Sequence, residues 1–143
     1  MSSSHRSVSC SYRPWLHRYA VFFVLCIFGL IVIGGTVTSK EAGLAVPTYP
    51  TTFGYNMFAV PFHLWLTPRN VFWEHSHRLL ASGVGLMAII MQFWLLFTQR
   101  HRNWLRWLGV SMLGAVILQG LMGGLRVTEL DVRLAIVHGI TAQ

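Results

Sequence analysis

The chain has 143 residues, 54% of them hydrophobic and only 10% charged, a balance too apolar for an ordinary soluble domain of this length. Its formal charge of +7 is split between apolar runs rather than gathered on one surface, so no nucleic-acid partner is expected. The two cysteines, Cys10 and Cys26, have neither metal-type spacing nor a position suited to an extracytoplasmic disulfide.

In chain order, residues 1–18 form a basic tail carrying Arg6, Arg13 and Arg18. Tyr19 to Ser39 then contains no charged residue and is close to the roughly 20 residues a helix needs to cross the hydrocarbon layer. This run is longer than the core of a signal peptide and ends in no small-residue cleavage pattern, so it reads as a first span, about 19–39. A long connection over 40–71 follows. Pro47, Pro50, Pro61 and Pro68 prevent a regular helix through most of it, and its aromatic content suits a cover lying on the membrane surface. A second span is predicted over about 72–99 and a third over about 106–125. A fourth begins near 134 and is cut short at Gln143, from which we expect a fragment of a longer protein.

Arg6, Arg13 and Arg18 precede the first span, and Arg100, Arg102 and Arg106 separate the second from the third. The positive-inside rule therefore puts the N-terminus in the cytoplasm and the 40–71 loop outside. The expected fold class is an all-α polytopic membrane protein. Residues 19–143 form an antiparallel four-helix transmembrane bundle behind the cytoplasmic tail 1–18. Gly34 and Gly35, Ala81 and Gly85, and Gly120 with Gly124 suit close helix packing.

Ionisable groups cluster where the second span begins, in "EHSHR". His77 stands just before the apolar core of this span, and His138 stands near the start of the fourth. Both spans run inward, so both imidazoles belong to the outer part of the bundle, at depths within about two turns of each other. The second and fourth helices are diagonal partners in such a bundle, and two histidines so placed can grip a planar metal macrocycle from opposite faces. Zinc fits less well, because few further ligands converge there. His75 is turned about 200° from His77 on a helix and is expected at the interface. His5, His17, His63 and His101 lie in tails or loops and take no role. Glu74 shares a helical face with His77 and stands four residues before Arg78. Its plainer role is a salt bridge to Arg78 at the membrane surface; its sharper one is a carboxylate beside the macrocycle that moves a proton or stabilises developing positive charge.

Four blocks, "GGTVTSKEAGLAVPTYP", "EHSHRLLASGVGL", "QGLMGGLRVTEL" and "VHGITAQ", together resemble the haem A synthase family of cytochrome oxidase assembly enzymes, in that family's order and spacing, over Val21 to Gln143. The resemblance implies a protein of eight spans in two similar halves, of which this is the first. It implies that His77 and His138 are axial ligands of the haem iron, and that Glu74 is the outer-face carboxylate needed for activity. The implied reaction oxidises a ring methyl of haem O to a formyl group, giving haem A for cytochrome c oxidase. Haem O would arrive from haem O synthase, the electron donor is unspecified, and a haem b is expected in the second half. The implied place is the bacterial cell (inner) membrane, with the mitochondrial inner membrane as the alternative, and residues 1–143 alone are expected to be inactive.

The chain departs from the family pattern twice. The first outer loop lacks the cysteine pair of many bacterial members, and "PTYP", Pro47 to Pro50, stands where members often read Pro-Asp-Trp-Pro. A thiol step in the loop therefore has no residues to use, and a role for a loop acid is in doubt. The alternative function is a bis-histidine b-type cytochrome that only transfers electrons, which would need neither Glu74 nor the long loop.

Overall fold

The computed structural model describes residues 13–66 and 69–143. Arg6 and Cys10 of the tail, and Pro68 of the loop, lie outside the described residues. Among the described residues five helices occur: α1 (Pro14–Ser39), α2 (Phe62–Leu66), α3 (Arg69–Thr98), α4 (Asn103–Thr128) and α5 (Val132–Thr141). Three of them, α1, α3 and α4, are long and apolar enough to cross a membrane. Their outward faces are correspondingly greasy. Phe22, Val24, Leu25 and Phe28 on α1, Phe93 and Phe97 on α3, and Ile117, Leu118 and Leu121 on α4 are all exposed. In water that would be a liability. In lipid it is the surface the surroundings require. The fold is a polytopic membrane array of helices.

Local chemistry sets the helix ends. α1 opens with proline in its first turn, where the missing N–H is no loss, so the helix begins ahead of the uncharged run that marks the span in sequence. Near its other end the hydroxyls of Thr36, Thr38 and Ser39 donate back to the carbonyls of Val32, Gly34 and Gly35. Three polar side chains are thereby satisfied inside the helix's own ladder. The Asp131 carboxylate caps α5 by accepting from the Arg133 N–H at 2.7 Å.

The main packing pairs are α1 with α3, α3 with α4, α4 with α5, and α2 with α3. α3 and α5 are not a main packing pair, and α4 packs on both. At the membrane centre Phe23, Val84 and Ala88 form the core, joined by Cys26, Leu30, Met112 and Val116 from α1 and α4. Nearer the cytoplasmic end predicted from sequence, the Tyr19 hydroxyl donates to the Met87 carbonyl at 3.0 Å, and its ring lies 5.6 Å from that of Trp94.

The loop between α1 and α3 folds back on the helices. Ala42, Val46 and Thr52 within it are fully buried. Thr52 and Tyr55 exchange both backbone hydrogen bonds at 3.0 Å around Phe53 and Gly54. Gly54 sits at φ +82°, where a residue without Cβ costs least. The ring of Tyr49 packs so closely on Gly124 of α4 that a Cβ there would touch it.

Candidate functional site

The second and third turns of α3 fan their polar side chains around the helix at roughly 100° per residue. Glu74 and Arg78 point up into the loop, His75 lies on one flank and His77 on the other. Both Glu74 oxygens are engaged: Oε1 pairs with the Arg78 Nη2 at 2.6 Å, and Oε2 accepts the Val46 N–H at 2.9 Å. Arg78 in turn donates to the Val46 carbonyl at 2.8 Å and to the Thr48 carbonyl at 2.7 Å. The ion pair is buried, with Glu74 only 2% exposed, so it clamps the loop rather than resting in water at the membrane surface.

His75 differs from its expected interfacial place. It is 1% exposed, its Nδ1 lies 3.2 Å from the Thr52 hydroxyl, and its ring meets the edge of Trp65 from α2 at 5.4 Å. The loop and α2 together roof it over, and sequence spacing on α3 carries no sign of that roof.

His77 turns the other way, onto α1. A Cβ at Gly34 would lie 3.0 Å from its Cε1. His138 does the same on α4, where a Cβ at Gly123 would lie 3.3 Å from its Cε1. Each imidazole thus rests in a notch that glycine leaves open and a Cβ would crowd. In both rings Nδ1 is buried without a hydrogen-bond partner. Buried polar atoms are nearly always satisfied, so two orphaned imidazole nitrogens are an exception that asks for a missing partner. The two rings lie within electrostatic reach of each other, and Arg126 of α4 is within reach of both. The backbone of Gln119 is also an electrostatic neighbour of the His138 ring, although no hydrogen bond of good geometry forms.

Among the described residues no group of three or more His, Cys, Asp or Glu gathers to hold a bare ion. Two imidazoles suit a metal that brings its other ligands with it, as the iron of a haem does. The notches and orphaned nitrogens fit such a group.

The comparisons with known proteins bear on the same residues. The pattern of the cytochrome oxidase assembly protein family matches residues 17–138, from the start of α1 through His138. The chain belongs to this family. A heme A synthase of Shouchella clausii is 30% identical over 130 residues, covering 89% of this chain and 41% of its own length. A heme A synthase of Rhizorhabdus wittichii is 28% identical over 165 residues, covering 96% of this chain and 47% of its own. A heme A synthase–mitochondrial ferredoxin fusion protein of Schizosaccharomyces pombe is 24% identical over 119 residues. The chain therefore spans less than half the length of these relatives. No solved structure matches it significantly. The family expectation drawn from the four sequence blocks is met.

Sequence reasoning missed three features of this site. Arg126 has no assigned role in the sequence reading, although it stands three residues after Gly123 and so on the same helical face. Gly34 reads in sequence as a helix-packing residue and Gly123 carries no assigned role, whereas each receives a histidine. The Glu74–Arg78 pair was foreseen, but not the loop backbone it holds.

Proposed function

We propose that this chain contributes the substrate-haem half of a haem A synthase, which oxidises a ring methyl of haem O to a formyl group and supplies haem A to cytochrome c oxidase. The observation that carries the reading is the pair His77 and His138, two half-buried imidazoles whose Nδ1 atoms are buried without a partner, each seated on a glycine of a neighbouring helix. Relatives that bear the name heme A synthase support it. In this reading the two histidines would hold the iron of haem O or haem A. Three helices able to span a membrane support a multi-pass membrane place. The bacterial inner membrane belongs to the proposal, and the arginines preceding the first span and separating the second from the third favour a cytoplasmic N-terminus.

Conversion of a methyl to a formyl group removes four electrons, introduces one oxygen and releases protons. With water as the oxygen source, four electrons and four protons leave, and a haem b in the second half of the full-length protein would relay the electrons one at a time to an external acceptor. With dioxygen, one molecule yields the formyl group and water and is itself the acceptor. Glu74 is the group assigned to the proton. Each of its oxygens already takes one hydrogen bond, but a carboxylate has about four lone-pair sites, so both retain room for another donor. Haem O synthase is the proposed supplier of substrate.

One observation favours a second reading. Since Glu74 already serves as a loop tie, a bis-histidine electron-transfer cytochrome could keep it for structure alone. Two substitutions separate the readings. In cells whose haem A depends on this gene, His138→Ala should leave haem O accumulating and haem A absent from extracted pigments. Unchanged haem A would end the synthase reading. Glu74→Gln should retain haem but lose turnover, and full turnover would confine Glu74 to tying the loop.

A further inference from the structure

The loop-bearing end of the molecule holds more positive charge than its own acids neutralise. The ion pair between Arg78 and Glu74 is the only one among the described residues. Arg126 is half-buried and makes one hydrogen bond there, from Nη2 to the Gly43 carbonyl at 2.8 Å. A guanidinium has five N–H donors, so most of its capacity is unspent. Its electrostatic neighbours are Glu74, already claimed by Arg78, and Arg78 itself, which repels it. Glu129, three residues further on, is exposed and forms no ion pair with it. Asp131 is occupied in capping α5. A partly buried cation without a counter-ion is costly, and such a group persists where an anion completes it.

The surroundings of Arg126 say which anion. It lies one turn beyond Gly123, the glycine on which His138 rests, and is further along α4 toward the loop. It is within electrostatic reach of both His77 and His138. Anything held by those imidazoles therefore presents one edge to this guanidinium. We infer that Arg126 is a carboxylate-binding subsite, taking one propionate of the tetrapyrrole held by His77 and His138. The inference rests on the haem reading above. Arginine suits the task because its planar fork can grip a carboxylate through two parallel hydrogen bonds. Gly43 belongs to the same construction: the Arg126 Nη2 approaches it so closely that a Cβ would collide with it. The loop carbonyl at Gly43 thus fixes the guanidinium from one side and leaves Nε and Nη1 for the ligand.

The test compares a porphyrin with and without its acids. The purified chain in discs of zwitterionic lipid is titrated with ferric protoporphyrin IX and with its dimethyl ester, each read by the Soret band against empty discs. The acid should bind at least about tenfold more tightly, the scale of a charge-assisted hydrogen bond. Arg126→Gln should bring the two affinities to within about twofold of each other, since the amide offers no charge. Arg126→Met, an apolar residue at home in a membrane helix, gives the same reading should glutamine disturb the fold. Each ratio is taken within one protein, so a general loss of affinity cancels. Equal affinities in the unsubstituted chain, as expected if a lipid phosphate occupies the guanidinium, would overturn the subsite. So would a preference for the acid that survives in the variants. If neither porphyrin gives a Soret shift, or if His138→Ala binds both as the parent does, the haem reading itself fails and the subsite goes with it.

Discussion

The two ends of the helical array are held together by different forces. At the loop end, Glu74, Arg78, Thr52, His75 and Arg126 tie backbone and side chains by hydrogen bonds. At the other end α3 and α4 meet through shape: Gln92 and Leu95 press on Gly109 where no Cβ could fit. The difference follows from the surroundings. Lipid gives no hydrophobic drive to join apolar helices, so the far end relies mainly on close contact, with the Tyr19–Met87 hydrogen bond tying α1 to α3. A loop that must stay folded over the helices needs directional bonds, and buried ones are the strongest available.

The largest effect is expected where a buried charge loses its partner. Arg78→Ala would strand the Glu74 carboxylate and free the carbonyls of Val46 and Thr48, at a cost of about 3–5 kcal/mol. Thermal unfolding in detergent and limited proteolysis should both report it, with new cleavage confined to the 40–61 stretch. Stability within about 0.5 kcal/mol of the parent would mean the clamp holds nothing. Gly109→Ala breaks the opposite end. Overpacking against Gln92 and Leu95 should cost about 1–3 kcal/mol while leaving porphyrin binding as in the parent. A lost Soret band in that variant would show that the two ends are not independent.

Adjacent glycines sharpen the comparison further. Gly34→Ala places a methyl 3.0 Å from the His77 ring, whereas Gly35→Ala meets nothing within 4 Å. The first should shift the Soret position or weaken porphyrin binding about tenfold, equivalent to about 1.4 kcal/mol. The second should leave both alone. Identical behaviour of the two would remove His77 from the binding site.

The spans were legible because lipid imposes a simple demand: about 20 residues without charge, which the sequence meets three times. His77 and His138 were legible as a pair because two helices of like direction bring residues near their starts to like depth. The glycines were legible as small but not as receptive. Gly34, Gly123 and Gly124 each admit a side chain from elsewhere, while Gly35, Gly85 and Gly120 have nothing within 4 Å, and spacing alone makes all six look alike. Loop contacts were the least legible. Whether Val46 or Thr52 meets α3 depends on backbone turns such as the Thr52–Tyr55 exchange, and these leave no periodic trace in sequence.

The smallest effect concerns one of those hidden contacts. Thr52→Val keeps the shape of a fully buried side chain and removes only the hydroxyl facing His75. The His75 Nδ1 would then be a buried nitrogen without a partner, at a cost of about 1–2 kcal/mol. Because His75 lies on the flank of α3 away from His77, porphyrin affinity should not follow. Melting temperature and Soret titration measured together decide the matter. A drop in stability with unchanged binding assigns His75 to holding the loop. A parallel loss of binding would place it in the haem site beside His77, and the division of labour between the two flanks of α3 would have to be given up.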